Sequence, residues 1–116
     1  METQSLKPRP SLFEYENYRS FLKDYFTFSK QQLPQFSYRY FAQKAGFRSP
    51  NFLKLVMDGK RNLSSQSIEQ FSKAFKLSSI ESEFFSYLVH FNQSEDDAQK
   101  ILWAKKDVVS SDFILF

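Results

Sequence analysis

The chain has 116 residues, a formal net charge of +3 and no cysteine, and its aromatic content is high, with 15 Phe and 6 Tyr. This length predicts one domain with a core of its own, and the lack of cysteine excludes disulfides and thiolate metal sites. Only two Gly and four Pro are present, and no β-branched segment alternates, so we expect an all-α fold of five or six helices. No apolar run reaches membrane-spanning length, so we expect a cytoplasmic protein with no membrane partner.

The first 14 residues are predicted to be a flexible arm, because Pro8 and Pro10 flank Arg9 and no apolar periodicity occurs. Lys7 and Arg9 could reach into a DNA minor groove. Residues 15–32 are predicted to be helical, since their apolar residues recur at helical spacing. That apolar stripe consists of Tyr18, Phe21, Leu22, Tyr25 and Phe26.

Residues 37–78 are predicted to form three short helices with a glycine at each joint. Ser37 can cap the first helix, which Gly46 ends, and Ser49 can cap a second that runs from Pro50 to Asp58. Gly59 closes the second helix, and Ser64 can cap the third. Two capped helices joined by a tight turn predict a helix-turn-helix, which with the helix before it would form one unit over residues 15–78.

Two resemblances appear in these residues. One resemblance rests on Ala42-x-x-Ala45-Gly46, on Gly59-Lys60-Arg61 and on the helix that Ser64 caps. These segments are similar to the DNA-binding domain of phage-repressor-type (XRE-like) regulators. A longer stretch, from Tyr18-Arg19-x-Phe21-Leu22 to Leu88-Val89-x-Phe91-Asn92-Gln93, more closely resembles an uncharacterised family of bacterial paralogues found in fibrobacters and bdellovibrios. The first resemblance implies a DNA-binding transcription regulator. Tyr38 stands where repressors often place a glutamine that contacts phosphate.

The charge distribution agrees with a polyanionic partner. Residues 1–62 contain eleven Lys and Arg against five Asp and Glu, whereas residues 63–116 contain five against eight. Within residues 37–62 the only acid is Asp58, which stands among six basic residues. A focused positive field suits double-stranded DNA, although an ordinary solvated surface can be equally basic.

On the helix from Pro50 to Asp58, the residues expected to face the core are Phe52, Leu55 and Val56. Asparagine can pair with adenine, and lysine can reach a guanine edge or a phosphate. The predicted base-reading residues are Arg48, Ser49, Asn51 and Lys54, and the predicted phosphate contacts are Arg39, Lys44, Lys60 and Arg61. The simpler alternative is that these side chains are merely exposed and that Ser49 is only a cap.

Leu53 and Met57 are expected on the flank of the same helix, where they need a neighbour. The preceding helix or a later one could cover them, or they could meet thymine methyl groups or a protein partner. The candidate partner surface is therefore Leu53, Met57, Trp103, Phe113 and Phe116. It supports an alternative function, a helical protein–protein interaction module that keeps the repressor-like scaffold without binding DNA.

Residues 79–116 are predicted to be C-terminal helices and an apolar tail, which pack on the preceding unit or form an interface. Capping boxes at Ser78–Glu81 and Ser94–Asp97 would begin the two helices. No phosphate loop, nucleophile motif or paired metal ligands occur in the sequence, so we expect no enzyme, no cofactor and no metal. The sequence thus predicts a bacterial transcription regulator that inserts helix 50–58 into the major groove, as a homodimer reading two half-sites.

Overall fold

The structure is a computed structural model that describes residues 8–94. Over this range the chain forms a short 3-10 turn and five α-helices and contains no β-strand, which confirms the all-α prediction. None of the helices in residues 8–94 has both the length and the hydropathy of a membrane span. The 3-10 turn spans Leu12–Glu14, and the helices are α1 (Tyr18–Gln32), α2 (Tyr38–Ala45), α3 (Phe52–Met57), α4 (Ser65–Ala74) and α5 (Ser79–Gln93).

Local capping residues set the beginnings of four of these helices. Ser37 accepts a hydrogen bond from the Tyr40 N–H, and Ser64 and Ser78 form capping boxes at the starts of α4 and α5. These three caps agree with the sequence prediction. α1 begins at Tyr18 instead of Tyr15, because the Asn17 side chain accepts from the backbone N–H groups of the first turn and so fixes the start there.

Aromatic rings fill the core between the helices. The Phe71 ring on α4 is fully buried, and its centroid lies 5.0 Å from that of Phe41 and 5.5 Å from that of Phe47. On the other side of the core, Phe21 of α1 packs against Phe85 of α5. Helix α4 thus packs on both α2 and α5, and α1 packs on α3 and α5.

The segment before α1 is attached to the domain. Leu12 is buried, and the Arg9 guanidinium donates to both carboxylate oxygens of Glu81, at 3.1 and 3.4 Å, while lying over the Tyr25 ring. The predicted flexible arm is therefore wrong for residues 8–14. Arg9 is bonded to Glu81 and Tyr25, and it would have to leave both to enter a minor groove. Lys7, the other residue of that prediction, lies outside the described residues.

Helix α5 belongs to the same core as α1 to α4. Its last two residues bond to the start of α1, where Asn92 accepts from the Tyr18 N–H at 2.8 Å and Gln93 accepts from the Tyr18 hydroxyl. Burial raises the pKa of Tyr18 to about 12, so this hydroxyl remains a donor at ordinary pH. Helix α5 packs on α1 and α4. The predicted last helix and tail, with Trp103, Phe113 and Phe116, lie outside the described residues.

We predict that Gly46→Ala lowers the free energy of unfolding more than Gly59→Ala. Both glycines have left-handed backbone conformations, with φ of 86° and 80°, so each substitution should cost about 1 kcal/mol through backbone strain. At Gly46 a Cβ would also meet the Gln70 amide nitrogen at 3.4 Å, whereas nothing lies within 4 Å at Gly59. Urea denaturation of both variants measures the difference, and a larger loss for Gly59→Ala would contradict it.

Candidate nucleic-acid interface

The turn between α2 and α3 is fixed by backbone and side-chain hydrogen bonds. Gly46 and Phe47 both donate their N–H groups to the Ala42 carbonyl, at 2.9 and 2.8 Å, which ends α2 with the left-handed glycine expected from the sequence. The Gln70 side chain on α4 donates to the Ala45 carbonyl at 2.9 Å. The turn is therefore attached to α4 as well as to α2, and it directs the chain into α3.

Helix α3 is shorter than predicted. It spans Phe52–Met57, and its N-cap residue is Asn51, whose side chain makes no capping hydrogen bond. Ser49 is therefore not the cap, and its backbone carbonyl accepts from the Phe52 N–H. As a consequence Arg48, Ser49 and Asn51 lie in the exposed loop ahead of the helix, and only Lys54 of the predicted base-reading residues lies on the helix itself.

The buried face of α3 also differs from the prediction. Leu53 is 1% exposed, Val56 is fully buried and Met57 is 8% exposed, whereas Leu55 is only partly buried. Leu53 and Met57 belong to the hydrophobic core, and α1 packs on α3. They are thus not available as a partner surface, and the structure corrects that prediction in favour of coverage by the protein itself. A short helix rotates to bury its strongest apolar face against its neighbour.

All eight predicted DNA-contacting side chains are on exposed residues. The base-reading set occupies the turn and α3, while Arg39 and Lys44 lie on α2 and Lys60 and Arg61 lie in the loop that follows α3. The structure therefore distributes them over one continuous stretch from α2 to the start of α4. Phe47 and Phe52, which flank the loop of Arg48 and Asn51, pack against each other with their ring centroids 4.7 Å apart.

An ion pair lies within this surface. The Lys54 ammonium is 2.9 Å from the Asp58 carboxylate, one helical turn away. The hydrogen bond from Lys54 holds the pKa of Asp58 below its usual value, and Lys60 and Lys23 lower it further through their charges. Lys23 of α1 is therefore within electrostatic range of this carboxylate. Sequence reasoning missed Lys23, although its position beside the apolar stripe of α1 already indicated an exposed side chain.

Tyr38 takes a structural position at the start of α2. Its ring stacks on Phe26 of α1, with the centroids 4.5 Å apart and the planes 13° from parallel. The pKa of Lys54 is raised mainly by its hydrogen bond to Asp58, and Tyr38 adds a smaller contribution, so the phenol lies near the basic surface. The ring joins α2 to α1, a role that a glutamine at this position could not fulfil.

No family model, curated protein or solved structure matches this chain. Within residues 8–94 no group of three or more His, Cys, Asp or Glu side chains is placed to hold a metal ion. The described part of the chain offers a basic, hydrogen-bonding surface on α2, α3 and the loops on either side of α3.

Proposed function

We propose that this protein is a DNA-binding transcription regulator that places α3 and the loop before it in the major groove. The observation that carries the proposal is the exposure of all eight candidate DNA-contacting residues on consecutive parts of the helix-turn-helix, while the apolar side of α3 is buried in the core. A helix-turn-helix that presents polar and basic side chains on its outer side has the arrangement needed to contact base edges and phosphates.

The short α3 determines how bases would be read. Six residues span about 9 Å, which fits within a major groove about 12 Å wide, so the loop ahead of the helix must share the contacts. Arg48, Ser49 and Asn51 would approach base edges from the loop, and Lys54 would do so from the helix. Arg39, Lys44, Lys60 and Arg61 would bind phosphates on either side, with Lys23 as an additional basic residue.

A single interface of this size contacts few base pairs, so the proposal includes a homodimer that reads two half-sites about one helical turn apart. Helix α5 or the residues that follow it would supply the dimer contact. Near the start of α5, Phe13 and Ile80 are half exposed, and the Phe13 ring lies 5.2 Å from that of Phe84. Sedimentation with and without a duplex measures the stoichiometry.

The proposal is tested by titrating the protein with a random-sequence duplex at several salt concentrations. A DNA-binding protein making roughly four to six phosphate contacts should lose affinity with a log–log slope of about −4 to −5. Failure to bind at low salt would remove the proposal and favour the alternative, a helical protein-interaction module. That alternative has lost Leu53 and Met57 as contact residues, because both are buried.

We predict that Asp58→Asn strengthens binding to a random duplex. The carboxylate pairs with Lys54 and repels phosphate, so its removal should raise affinity about fivefold at 0.1 M salt, the order expected for one unit of charge. The matched control is Glu83→Gln, which removes an exposed carboxylate from α5. Electrophoretic mobility or fluorescence anisotropy measures both, and an equal gain for the two variants would contradict a local effect of Asp58.

A further inference from the structure

Arg19, in the first turn of α1, bonds to the C-terminal end of α3. The Arg19 guanidinium donates to the Val56 carbonyl at 2.6 Å, to the Arg61 carbonyl at 2.9 Å and to the Asn62 side-chain oxygen at 2.8 Å. Arginine presents its donors in a rigid planar fork, so three acceptors on one guanidinium fix the relative positions of the segments that carry them. One side chain thus joins α1, the end of α3 and the loop after it.

Helix α3 needs such an external contact. A helix of six residues is far too short to be stable alone, and its last carbonyls lack partners within the helix. The Val56 carbonyl accepts a hydrogen bond from the Gly59 N–H at 3.0 Å as well as the one from Arg19. A positive group at this end of the helix also matches the direction of the helix dipole. Arg19 therefore holds α3 at its C-terminal end, away from the exposed loop containing Arg48 and Asn51.

Arg19 is itself held rigidly. Its guanidinium lies 4.7 Å from the centre of the Tyr18 ring, and the Tyr18 hydroxyl bonds to Gln93. Gln93 in turn accepts from the Leu63 N–H at 2.8 Å and donates to the Leu63 carbonyl at 3.0 Å. The loop after α3 is thus bonded at Arg61 and Asn62 by α1 and at Leu63 by α5.

Among the ion pairs of the described residues, none involves Arg19. Its donors instead serve the two carbonyls and the Asn62 side-chain oxygen. This separates Arg19 from Arg9, which is paired with Glu81 and also lies over a tyrosine ring. Both arginines bond to groups distant in the chain. Of the two, Arg19 is the one that contacts α3 and the loop that carries Lys60 and Arg61.

We propose that Arg19 is a positioning residue for DNA recognition, which fixes α3 and the Lys60–Arg61 loop so that base-reading and phosphate-binding side chains engage one duplex together. This inference rests on the proposed function. Arg19 touches no base in this proposal. Without Arg19 the basic residues would still be present, but α3 and the loop would move independently. The preference for one DNA sequence should therefore fall more than the affinity for any duplex.

The first experiment compares affinities for a random-sequence duplex and for a duplex selected by the wild-type protein from a random pool. Arg19→Lys retains the charge but not the fork, so we expect random-duplex affinity within twofold of wild type and a preference for the selected duplex reduced about tenfold, a typical size for the loss of one positioned base contact. Arg19→Ala should lose at least as much preference. Arg9→Ala, the control of equal charge loss to Arg19→Ala, should change the preference by less than twofold. Equal losses of preference in the Arg9 and Arg19 alanine variants would overturn the proposal.

A second experiment needs no DNA. Hydrogen exchange should be about tenfold faster in Arg19→Ala at the amides of Gly59 and Lys60, relative to the amide of Phe75, the C-cap residue of α4, because local opening of the loop becomes easier. Arg9→Ala should leave that ratio unchanged. An unchanged ratio in Arg19→Ala rejects the positioning role even if DNA binding is confirmed. If the wild-type protein binds no duplex, the proposed function and the role in recognition both fail, while the exchange ratio still decides whether Arg19 holds α3.

Discussion

Replacing Phe71 by alanine is expected to lower the free energy of unfolding by about 3 to 5 kcal/mol, the usual cost of a cavity left by a buried phenylalanine. The ring is fully buried and lies 5.0 Å from Phe41, 5.9 Å from Phe75 and 6.0 Å from Phe52. Its removal therefore weakens α2, α3 and α4 together. Urea denaturation followed by circular dichroism measures the loss.

The control for this substitution is Phe13→Ala. Phe13 is 50% exposed, so its truncation should cost less than about 1 kcal/mol. If Phe71→Ala cost no more than Phe13→Ala, the aromatic cluster would not be what holds the helix-turn-helix together. Since Phe47 and Phe52 flank the loop of Arg48 and Asn51, a destabilised cluster should also reduce the preference for a selected duplex before the protein unfolds.

The double substitution Lys60→Ala/Arg61→Ala is expected to weaken binding to a random duplex by roughly 50-fold at 0.1 M salt, because two phosphate contacts each release about 0.9 counterion. Both residues are exposed in the loop between α3 and α4. The slope of log affinity against log salt should become shallower by about 2. The folded structure should be unaffected, because the hydrogen bond from Arg19 to Arg61 goes to the backbone carbonyl of Arg61 and not to its side chain.

The matched control is Lys73→Ala/Lys76→Ala, which removes the same charge from the last turn of α4 and from the segment just after it. That helix has ten residues and is about 15 Å long, so these lysines lie well away from the loop. Their loss should change affinity by less than about threefold at this salt concentration, where screening is strong over 10 Å. Similar losses for the two pairs would indicate a diffuse attraction to DNA and would remove the assignment of phosphate contacts.

The outcome at α3 shows where sequence reasoning succeeds and where it fails. Gly46 and Gly59 bracket the helix as predicted, because a left-handed backbone conformation is a local requirement that glycine meets at little cost. Of the residues predicted to face the core, Val56 is fully buried but Phe52 and Leu55 are only partly buried, and Leu53 and Met57 lie in the core instead. With apolar residues on most sides of so short a helix, the sequence pattern favours no single face, and packing against α1 decides.

The segment before α1 gives a second example. Two prolines and little periodicity predict an arm, but Leu12 inserts into the core and Arg9 pairs with Glu81, 72 residues later in the chain. No local sequence pattern predicts a partner so far along the chain. The same holds for Lys23, which the fold brings close to Asp58, and for Arg19, whose acceptors are 37 to 43 residues away.

By itself the sequence determined the all-α class, most of the helix ends and the exposure of the eight candidate DNA-contacting residues. These depend on capping groups, glycine conformations and the period of apolar residues, which act within a few positions of the chain. Only the tertiary structure decided which face of α3 is buried, what Arg9 and Arg19 bind, and which lysine of α1 joins the basic surface. Such choices depend on competition between distant side chains for the same space and the same hydrogen-bonding groups, and that competition is settled only when the helices pack.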